Sequence, residues 1–317
     1  MTAAIGIDVG GSSVKAARVD EHGKVLERFE APTDLRSRDE LLAQITGISN
    51  ELRTPDTVAM CAALPGSIGL NDGMIDAEST NLPLSGIPLA SWLTHELGLP
   101  ATVERDSNAA IIGEARFGAA MGRNDVVLLT LGTGVGGSVL VNGELLRGSR
   151  GAAGELGHFT IDINGRRCIG ACRGLGHLEA YASATAIVDE AEAYARANPG
   201  TDLALLLAAH GGLTAEMITA RARAGDRVAQ LILADAGHHL GVAIEGLVNI
   251  FNPEVVLIGG GVAAAGDLLL GEVRALIDER LARPTSGAVE IRRALLEGDA
   301  GVIGASAIAH DLVAAVV

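Results

Sequence analysis

Lysine is almost absent from this chain of 317 residues, since it occurs only at positions 15 and 24. The formal net charge is −15, with 39 aspartates and glutamates against 24 lysines and arginines. Proteins that bind nucleic acids or anionic membranes without sequence preference need clustered basic side chains to contact the phosphates. The composition therefore argues against nucleic acid and membrane partners.

Long apolar runs and cysteines are also scarce. Apolar runs such as Val126–Leu131 have the length of a strand and fall far short of the roughly 20 residues that cross a bilayer. The N-terminal stretch has no basic segment and is interrupted by Asp8, so we expect no signal peptide. Three cysteines, Cys61, Cys168 and Cys172, cannot form a disulfide framework and suit a reducing compartment. We predict a cytoplasmic protein without a membrane span.

The chain does contain a repeated arrangement of short apolar runs and glycine-rich turns. The first copy begins at Ala3, reaches a glycine turn at 10–13 and continues as two further runs of strand length. The second copy begins at Val126, reaches a glycine turn at 131–137 and again continues as two short runs. We therefore predict that one three-stranded β-meander is present twice.

The remaining segments alternate between strand and helix patterns, which predicts the α/β class. A chain of 317 residues exceeds the usual size of one core, so two domains are expected. We place a small N-terminal α/β domain at residues 1–117 together with a C-terminal helix at 301–317, and a larger α/β domain at residues 118–300. This organisation predicts an enzyme with a cleft between its domains.

The first glycine turn follows Asp8 and consists of Gly10, Gly11, Ser12 and Ser13. An ordinary β-turn is the simplest interpretation, because glycine turns are common in hairpins. The alternative is a phosphate site, since two glycines let backbone N–H groups approach phosphate oxygens and the serines add hydroxyl donors. In that case Asp8 would hold Mg²⁺ through water.

The second glycine turn contains Thr133 and formally matches the dinucleotide-binding pattern G-x-G-x-x-G at Gly132, Gly134 and Gly137. That pattern requires a helix after the turn, whereas residues 138–141 form a strand pattern that leads into another turn. The chain also contains no G-x-x-x-x-G-K-[ST] sequence, which excludes a P-loop. We interpret the second turn as a phosphate-type turn of the same kind as the first.

Two phosphate-type turns in duplicated meanders, with a third strand-to-glycine turn at 259–261, are typical of the actin-like ATPases, which have a ribonuclease H-like fold. The sequence resembles one branch of that superfamily, the ROK family of sugar kinases and repressors, and is similar to its bacterial glucokinases. The stretches that carry the resemblance are 8–15, 64–66, 81–83, 104–114, 131–137, 151–158, 178–179, 252–261 and 299–305. They cover almost the whole chain in the order of the family.

The resemblance implies that Asp106 is the catalytic base, which accepts a proton from a sugar hydroxyl. The chemistry agrees, because a hydroxyl is a poor nucleophile and a nearby carboxylate can take its proton during in-line phosphoryl transfer. Without the resemblance, an aspartate followed by Ser107 and Asn108 would be interpreted as a helix N-cap. The two roles are compatible.

The resemblance also implies two sets of binding residues. The sugar is expected to contact Gly66, Asn81, Arg105, Asp106, Glu155, His158 and Glu179. ATP and its Mg²⁺ ion are expected to contact Asp8, Gly10, Gly11, Ser12, Ser13, Lys15, Thr133, Gly134, Gly259, Gly260 and Gly261. By residue type alone, Glu155 and Glu179 would be solvated surface charges. Their position in glycine-rich segments near His158 favours the sugar site.

The chain departs from the family pattern in two places. Arg105 stands where the hexokinases of the family carry Asn, and a guanidinium group cannot accept hydrogen bonds. The family's zinc loop supplies cysteines in the pattern Cys-x-Cys-x₄-Cys, whereas the same positions here hold glycine, Cys172 and His177. With His158 and the displaced Cys168, the chain still offers four ligands suited to tetrahedral zinc. The alternative is a decayed loop with ordinary cytosolic thiols.

The expected reaction is the transfer of phosphate from ATP to a hexose, giving ADP and hexose 6-phosphate. Glucose is the first expected acceptor, ahead of mannose, fructose or an N-acetylhexosamine, and polyphosphate stays open as a donor. A sugar-responsive repressor of the family would carry a helix-turn-helix before the first turn, and Asp8 leaves no room for one. A silent sugar-binding protein is disfavoured by intact Asp8, Asp106 and Thr133. The resemblance implies a homodimer or homotetramer.

Overall fold

The structure is a computed structural model that describes residues 2–69, 74, 82–170, 172–281 and 289–314. The strands are β1 Ala3–Val9, β2 Ser13–Asp20, β3 Val25–Pro32, β4 Thr57–Leu64, β5 Ala101–Arg105, β6 Val126–Leu131, β7 Val135–Val141, β8 Glu144–Leu145, β9 Val255–Gly259 and β10 Glu290–Arg293. The helices are α1 Arg38–Leu52, α2 Leu89–Leu97, α3 Asp106–Phe117, α4 Glu179–Ala182, α5 Ala184–Ala197, α6 Asp202–His210, α7 Ala215–Arg223, α8 Arg227–Phe251, α9 Asp267–Arg280 and α10 Ala300–Ala314. This alternation confirms the predicted α/β class.

The strands form two five-stranded sheets with the same internal order. The first sheet has the order β3-β2-β1-β4-β5, and the second, taken from its opposite edge, has the order β8-β7-β6-β9-β10. In each sheet the first strand of the meander pairs in parallel with a strand from later in the chain, β1 with β4 and β6 with β9. The predicted duplication of the meander is therefore confirmed.

Strand β1 is buried on both faces, and the two faces differ in the size of their side chains. Ile5 packs in a large apolar cluster that includes Leu41 of α1. Ala4 points to the opposite face, because side chains alternate along a strand, and there it packs with Ala109 of α3 and Ala305 of α10. Small side chains on this second face let both helices approach the sheet closely.

The close approach of α3 and α10 also depends on glycine. A Cβ atom at Gly113 of α3 would lie 2.7 Å from the carbonyl oxygen of Ala300, and a Cβ atom at Gly304 of α10 would overlap the carbonyl oxygen of Ala109. The C-terminal helix thus packs against α3 and against β1. A larger side chain at either glycine would force the two helices apart.

The chain divides into two compact units by its internal contacts. The first unit comprises residues 1–124, 138–154 and 295–317, and the second unit comprises residues 125–137 and 155–294. Each unit contains one of the two predicted phosphate-type turns. The domain boundaries predicted from the sequence stay a prediction.

Helix α8 of the second unit is the one described helix with the length and hydropathy of a membrane span. Of its most apolar window, 56% is buried inside the protein. Gly237 of α8 packs closely on α9, since a Cβ atom there would lie 2.5 Å from the carbonyl oxygen of Leu269. Burial of this kind is expected of a core helix, so the structure gives no support to a membrane span.

Candidate active site

The first glycine turn connects β1 to β2 and is braced by the end of β3. The turn closes with a hydrogen bond from Gly10 N to Ser13 O at 2.9 Å. Thr33 holds it from the side, because its hydroxyl donates to Gly10 O at 2.6 Å and its N–H donates to Ser12 O at 3.1 Å. Gly11 and Ser12 are exposed. The side of the turn that faces Thr33 is therefore fixed by hydrogen bonds, while the side that carries Gly11 and Ser12 is open to a ligand.

Neither the backbone conformation of Gly11 nor any described neighbour requires glycine at this position. Its φ is not positive, and a Cβ atom built on it would meet no atom within 4 Å. A glycine that neither the backbone nor the packing requires leaves room for something to approach the main chain closely. This is what the phosphate interpretation of the turn predicts.

Asp8, the residue expected to hold Mg²⁺ through water, lies near the end of β1. It is directly opposite Lys15 on β2, whose ammonium group donates to Gly298 O at 3.5 Å. The pKa of the Asp8 carboxyl is raised to about 7, first by burial and second by the charge of Asp106, while the charge of Lys15 lowers it. The start of α10 lies against the carboxylate, because a Cβ atom at Gly301 would be 2.6 Å from Asp8 Oδ2.

Asp106, the expected base, is the first residue of α3 and is half-buried. The N-cap of this helix is Arg105, so Asp106 stands one position inside the cap. One of its oxygens, Oδ1, accepts a hydrogen bond from Ser107 N at 2.6 Å. Because its charge raises the pKa of Asp8, the two carboxylates of the first unit lie close enough to interact.

Arg105 is buried, with 4% of its surface exposed. Its Nη2 donates to Asn108 Oδ1 at 3.2 Å, within the first unit. From the sequence, the guanidinium is expected to face the sugar or to pair with a carboxylate such as Glu155. The contact with Asn108 was not expected, and the role of Arg105 in sugar binding stays a prediction.

Glu179 aside, four other residues are predicted to bind the sugar, and the structure describes three of them, namely Gly66, Glu155 and His158. Gly66 follows β4 with a φ of 102°, a conformation that favours glycine. In the second unit, Glu155 is the N-cap of a short 3₁₀ turn that ends at His158, and His158 N donates to Glu155 O at 3.1 Å. Asn81 lies outside the described residues.

The second glycine turn is shorter than the sequence suggested, because β7 already begins at Val135. Two residues at the start of α5 hold it, with Ala184 N donating to Gly132 O at 2.8 Å and Thr185 Oγ1 donating to Thr133 O at 2.7 Å. Thr133 itself is exposed. A Cβ atom at Gly132 would meet no atom within 4 Å, as at Gly11 of the first turn.

The third glycine turn contains one structural glycine and one open glycine. Gly260 has a φ of 82°, and a Cβ atom on it would overlap the backbone of Leu131. Gly259 is the buried last residue of β9. Gly261 is exposed, and the nearest atom to a Cβ there is Glu216 Oε1 at 3.8 Å. Of the three, Gly261 therefore leaves the most room for a ligand.

Glu179, at the start of α4, contacts the second glycine turn. Its Oε2 accepts a hydrogen bond from Val135 N at 2.9 Å and occupies the space where a Cβ atom of Gly134 would be. Its Oε1 accepts from Cys168 Sγ at 3.9 Å. Gly134 is thus required by the glutamate behind it, and Glu179 lies between the turn and the cysteine loop.

The four predicted zinc ligands come together in the second unit, with one ligand atom from each within 4.8 Å of the others. His158 Nδ1 lies 3.3 Å from His177 Nδ1 and 3.6 Å from Cys168 Sγ, and Cys172 Sγ lies 3.6 Å from His177 Nδ1. Tetrahedral zinc, with bonds of about 2.05 Å to nitrogen and about 2.3 Å to sulfur, spaces two nitrogens by about 3.3 Å and nitrogen from sulfur by about 3.6 Å. The donor set fits that ion.

The pKa of the Cys168 thiol is raised to about 12, mainly by burial and in smaller part by the neighbouring Cys172 and Glu179. Without a cation the thiol is therefore protonated at neutral pH. A metal ion would have to displace this proton in order to bind the sulfur as thiolate.

The sequence as a whole matches a known family. The sequence model described as ROK family matches residues 4–312. The chain belongs to the ROK family. One relative is the glucokinase of Halalkalibacterium halodurans, which is 36% identical over 310 residues that cover 95% of this chain and 92% of that protein.

Solved ROK structures share the fold of this chain. A ROK family glucokinase from Streptomyces griseus, in complex with glucose and AMPPNP, has 32% identity and a TM-score of 0.84 over 98% of this chain and 99% of that chain. A ROK family transcriptional regulator, a homologue of the E. coli MLC protein, has 27% identity and a TM-score of 0.86 over 98% of this chain and 78% of that chain. The predicted actin-like ATPase fold and the predicted class of hexokinase-type phosphotransferase are confirmed.

In this ROK protein, the predictions from the sequence did not include a polar group of three side chains at the strand-to-helix junction that carries the expected base. Buried Glu104 and Asn108 and the partly exposed Arg147 form a hydrogen-bonded group at the junction between β5 and α3, where Asp106 lies. A signal for two of them was present, because Glu104 and Asn108 are four residues apart on either side of Asp106 and lie at a strand-to-helix junction. No comparable signal marked Arg147, which reaches the group from 43 residues away in sequence.

Proposed function

We propose that this ROK protein transfers the γ-phosphoryl group of ATP to the 6-hydroxyl of a hexose, with glucose as the preferred acceptor. The observation that carries the proposal is the place of Asp106, half-buried at the start of α3 and close enough to Asp8 to raise its pKa. A proton acceptor near a turn suited to phosphate is the minimum that phosphoryl transfer to a hydroxyl requires. The glucokinase relatives support glucose as the acceptor.

The proposed chemistry assigns one task to each part of the first unit. Asp106 accepts the hydroxyl proton while the sugar oxygen attacks the γ-phosphorus and the bond to the β-phosphate oxygen of ADP breaks. Backbone N–H groups of the turn at 10–13 bind phosphate oxygens, and Gly11 leaves them room. Asp8 would hold Mg²⁺ through water, and the bound ion would neutralise charge on the phosphates.

We also assign the second and third glycine turns, both in the second unit, to nucleotide binding. Thr133 offers an exposed hydroxyl on a turn that α5 holds in place, so little conformational entropy is lost when phosphate binds. Gly132 and Gly261 leave open space next to the backbone. Gly134, Gly259 and Gly260 serve by shaping these turns.

The proposed acceptor site uses side chains that suit ring hydroxyls. Carboxylates accept hydrogen bonds from hydroxyl groups, and imidazole can donate or accept them. We assign Glu155, His158 and Glu179 to this role, together with Gly66 and Arg105. Asn81 is assigned on the resemblance alone.

A structural zinc ion is part of the proposal, held by His158, Cys168, Cys172 and His177. The support is the spacing of their donor atoms, 3.3 Å between the two nitrogens and 3.6 Å for each of two sulfur–nitrogen pairs. The ion would fix the ring of His158, which leaves its other nitrogen for the sugar. It would also hold the loop that lies against Glu179.

The cellular setting and the assembly also stay proposals. Cys61, Cys168 and Cys172 are all free, which supports a reducing compartment such as the cytoplasm. The homodimer or homotetramer implied by the family resemblance is proposed without a defined interface.

An ADP-release assay over a panel of sugars tests the proposed function. Glucose, mannose, fructose and N-acetylglucosamine are each supplied with MgATP, and product formation is also measured with polyphosphate as the donor. We expect the highest kcat/KM for glucose with ATP. Sugar binding without phosphoryl transfer to any member of the panel would contradict the kinase proposal and favour a sugar-responsive regulator.

A further inference from the structure

A buried carboxylate lies directly before the proposed base. Glu104 is 8% exposed and accepts four hydrogen bonds within the first unit. Its Oε1 accepts from Arg105 N at 2.9 Å and from Asn108 Nδ2 at 2.8 Å. Its Oε2 accepts from Arg147 Nε at 3.2 Å and from Arg147 Nη2 at 2.8 Å. Two nitrogens of one guanidinium thus donate to a single carboxylate oxygen, which restricts the orientation of both side chains.

Asn108 extends the group to a further strand. It is 2% exposed, and its Oδ1 accepts from Ser138 Oγ at 2.7 Å and from Arg105 Nη2 at 3.2 Å. The hydrogen bonds therefore tie together β5, the first turn of α3, β7 and the segment after β8. Asp106 sits in the middle of this set, with Glu104 and Arg105 before it and Asn108 after it.

Stability alone does not account for this arrangement. In this ion pair the Glu104 side chain is 11% exposed and the Arg147 side chain is 41% exposed. The cost of taking the carboxylate out of water offsets much of its attraction to a guanidinium that solvent still screens, so the pair contributes little net stability. A hydrogen-bonded ion pair does supply fixed geometry, because each donor has one acceptor and each side chain has one orientation. The geometry fixed here is that of the junction between β5 and α3.

We propose that Glu104 and Arg147 are positioning residues for phosphoryl transfer. Their ion pair holds the junction between β5 and α3 so that the Asp106 carboxylate points at the acceptor hydroxyl. Neither residue needs to touch the substrate for this role. The inference rests on the proposed function of Asp106 as the base.

The variants Glu104→Gln and Arg147→Gln test whether the ion pair positions Asp106, because a misplaced base lowers the turnover number, kcat. A displacement of about 1 Å in a reacting group can lower a rate about 100-fold, so we expect each variant to lower kcat by about 10- to 100-fold. The KM for ATP should change by less than about threefold, because the nucleotide is not bound by this pair. A smaller folded fraction would also lower the apparent kcat at unchanged KM, so turnover is expressed per folded molecule, counted by titration of the ATP-binding sites.

The double variant Glu104→Gln with Arg147→Gln shows whether the two residues act together on kcat or independently of each other. Arg147→Gln leaves the buried Glu104 carboxylate without its guanidinium, and Glu104→Gln leaves the partly exposed Arg147 guanidinium without its carboxylate. The double variant removes both charges and lets the two amides bond to each other. We expect the double variant to lose no more kcat than the worse of the two single variants. Losses that multiply would contradict the proposal.

The matched control is Arg36→Gln, which removes an arginine from an exposed ion pair of the same unit, with Asp34 at 2.6 Å. We expect it to keep wild-type kcat and KM. Arg147→Lys keeps the charge but loses the two guanidinium donors that share Glu104 Oε2, so its kcat should fall between those of Arg147→Gln and the wild type. Thermal melts of all variants establish that the compared proteins are folded.

The outcomes separate this inference from the proposed function. If the wild type shows no sugar-dependent ADP release, the proposed function is contradicted. If the wild type is active and Asp106→Asn is not, but Glu104→Gln and Arg147→Gln keep kcat within about threefold of wild type, then only the positioning role is contradicted. A kcat loss in both single variants without a further loss in the double variant supports it.

Discussion

Asp106 opens a helix one position inside the N-cap, and this place suits a base. The first turn of a helix is favourable for a negative charge, because unpaired backbone N–H groups point toward it. One carboxylate oxygen is held by Ser107 N at 2.6 Å, which limits the rotation of the side chain. A fixed, negatively charged acceptor needs little reorganisation when the substrate arrives.

Replacing Asp106 with Asn should abolish most of the turnover and leave sugar affinity largely intact. A general base contributes about 10²- to 10⁴-fold to a rate, and Asn keeps the shape of the side chain but cannot accept the proton. Turnover assays and isothermal titration with sugar measure the two effects separately. Asp39→Asn is the control, because Asp39 lies in the first turn of α1 in the same unit and is exposed. Near-normal turnover of Asp106→Asn would show that another group is the base.

Asp8 should make the stability of the protein depend on pH. Its folded pKa of about 7 is higher than its ordinary value of 3.8, so the folded state binds the proton more tightly than the unfolded state. The stabilisation from protonated Asp8 is complete below the ordinary value and is lost as the pH rises through about 7. Above that pH the buried carboxylate is ionised and weakens the fold.

The variant Asp8→Asn removes this ionisation and should raise the Tm of the protein at pH 8. Without nucleotide and Mg²⁺, we expect an increase of about 2 °C or more, since each 1 kcal/mol shifts Tm by about 2–4 °C in domains of moderate size. The increase should be smaller at pH 5, where Asp8 of the folded wild type is protonated. The same variant should lose ATP turnover. Equal Tm changes at both pH values would show that ionisation of Asp8 does not destabilise the folded protein.

Arg105 is the residue from which a difference in substrate choice is expected. Its guanidinium donates hydrogen bonds only, whereas the Asn at this position in the family's hexokinases both donates and accepts. If Arg105 contacts the sugar, Arg105→Asn should change the order of kcat/KM values over the sugar panel as well as their size. An unchanged order would place Arg105 outside the acceptor site.

At the scale of single elements, the sequence identified the glycine turns but not the task of each glycine. Gly134 and Gly260 are required by distant parts of the second unit, namely the carboxylate of Glu179 and the backbone of Leu131. Gly11 is required by no described neighbour. These differences arise from contacts between residues far apart in sequence, which a local pattern does not contain. For the same reason, the start of β7 at Val135 was read as part of a turn.

The cysteine and histidine loop should bind one zinc ion per chain despite its altered cysteine spacing. Zinc depends on the type and reach of its ligands more than on a fixed interval between them, and glycines in the loop allow different paths. Elemental analysis of protein purified without a histidine tag should find about one equivalent of zinc. Chelation should weaken sugar binding more than ATP binding, because His158 belongs to the proposed acceptor site.

Two cysteine variants make the zinc measurement specific. Cys172→Ser removes a proposed ligand and should abolish stoichiometric zinc, whereas Cys61→Ala alters a buried thiol of β4 and should leave zinc unchanged. Zinc far below one equivalent in the wild type, together with full kinase activity after chelation, would mean that packing alone holds the loop.

At the scale of the whole molecule, the duplicated meander was predictable because each copy carries its own periodic pattern and its own glycine turn. Two sheets of the same order follow from that repetition. The polar group around Glu104 was not predictable from the sequence, because two of its members come from distant segments. Ser138 lies on β7 of the second copy of the meander, and Arg147 follows β8, the last strand of that copy. Patterns within a segment indicate strands and helices, whereas contacts between segments depend on how the chain packs.

The central claim is that this molecule uses ATP to phosphorylate the 6-hydroxyl of a hexose. Sugar-dependent ADP release by the wild-type protein, with glucose compared with 6-deoxyglucose, tests it most directly, because the two sugars differ only at the proposed acceptor. We predict rapid ADP release with glucose and none above background with 6-deoxyglucose, although the latter still binds. ADP release that is equal for both sugars, or absent with glucose and with every other hexose, would contradict the account.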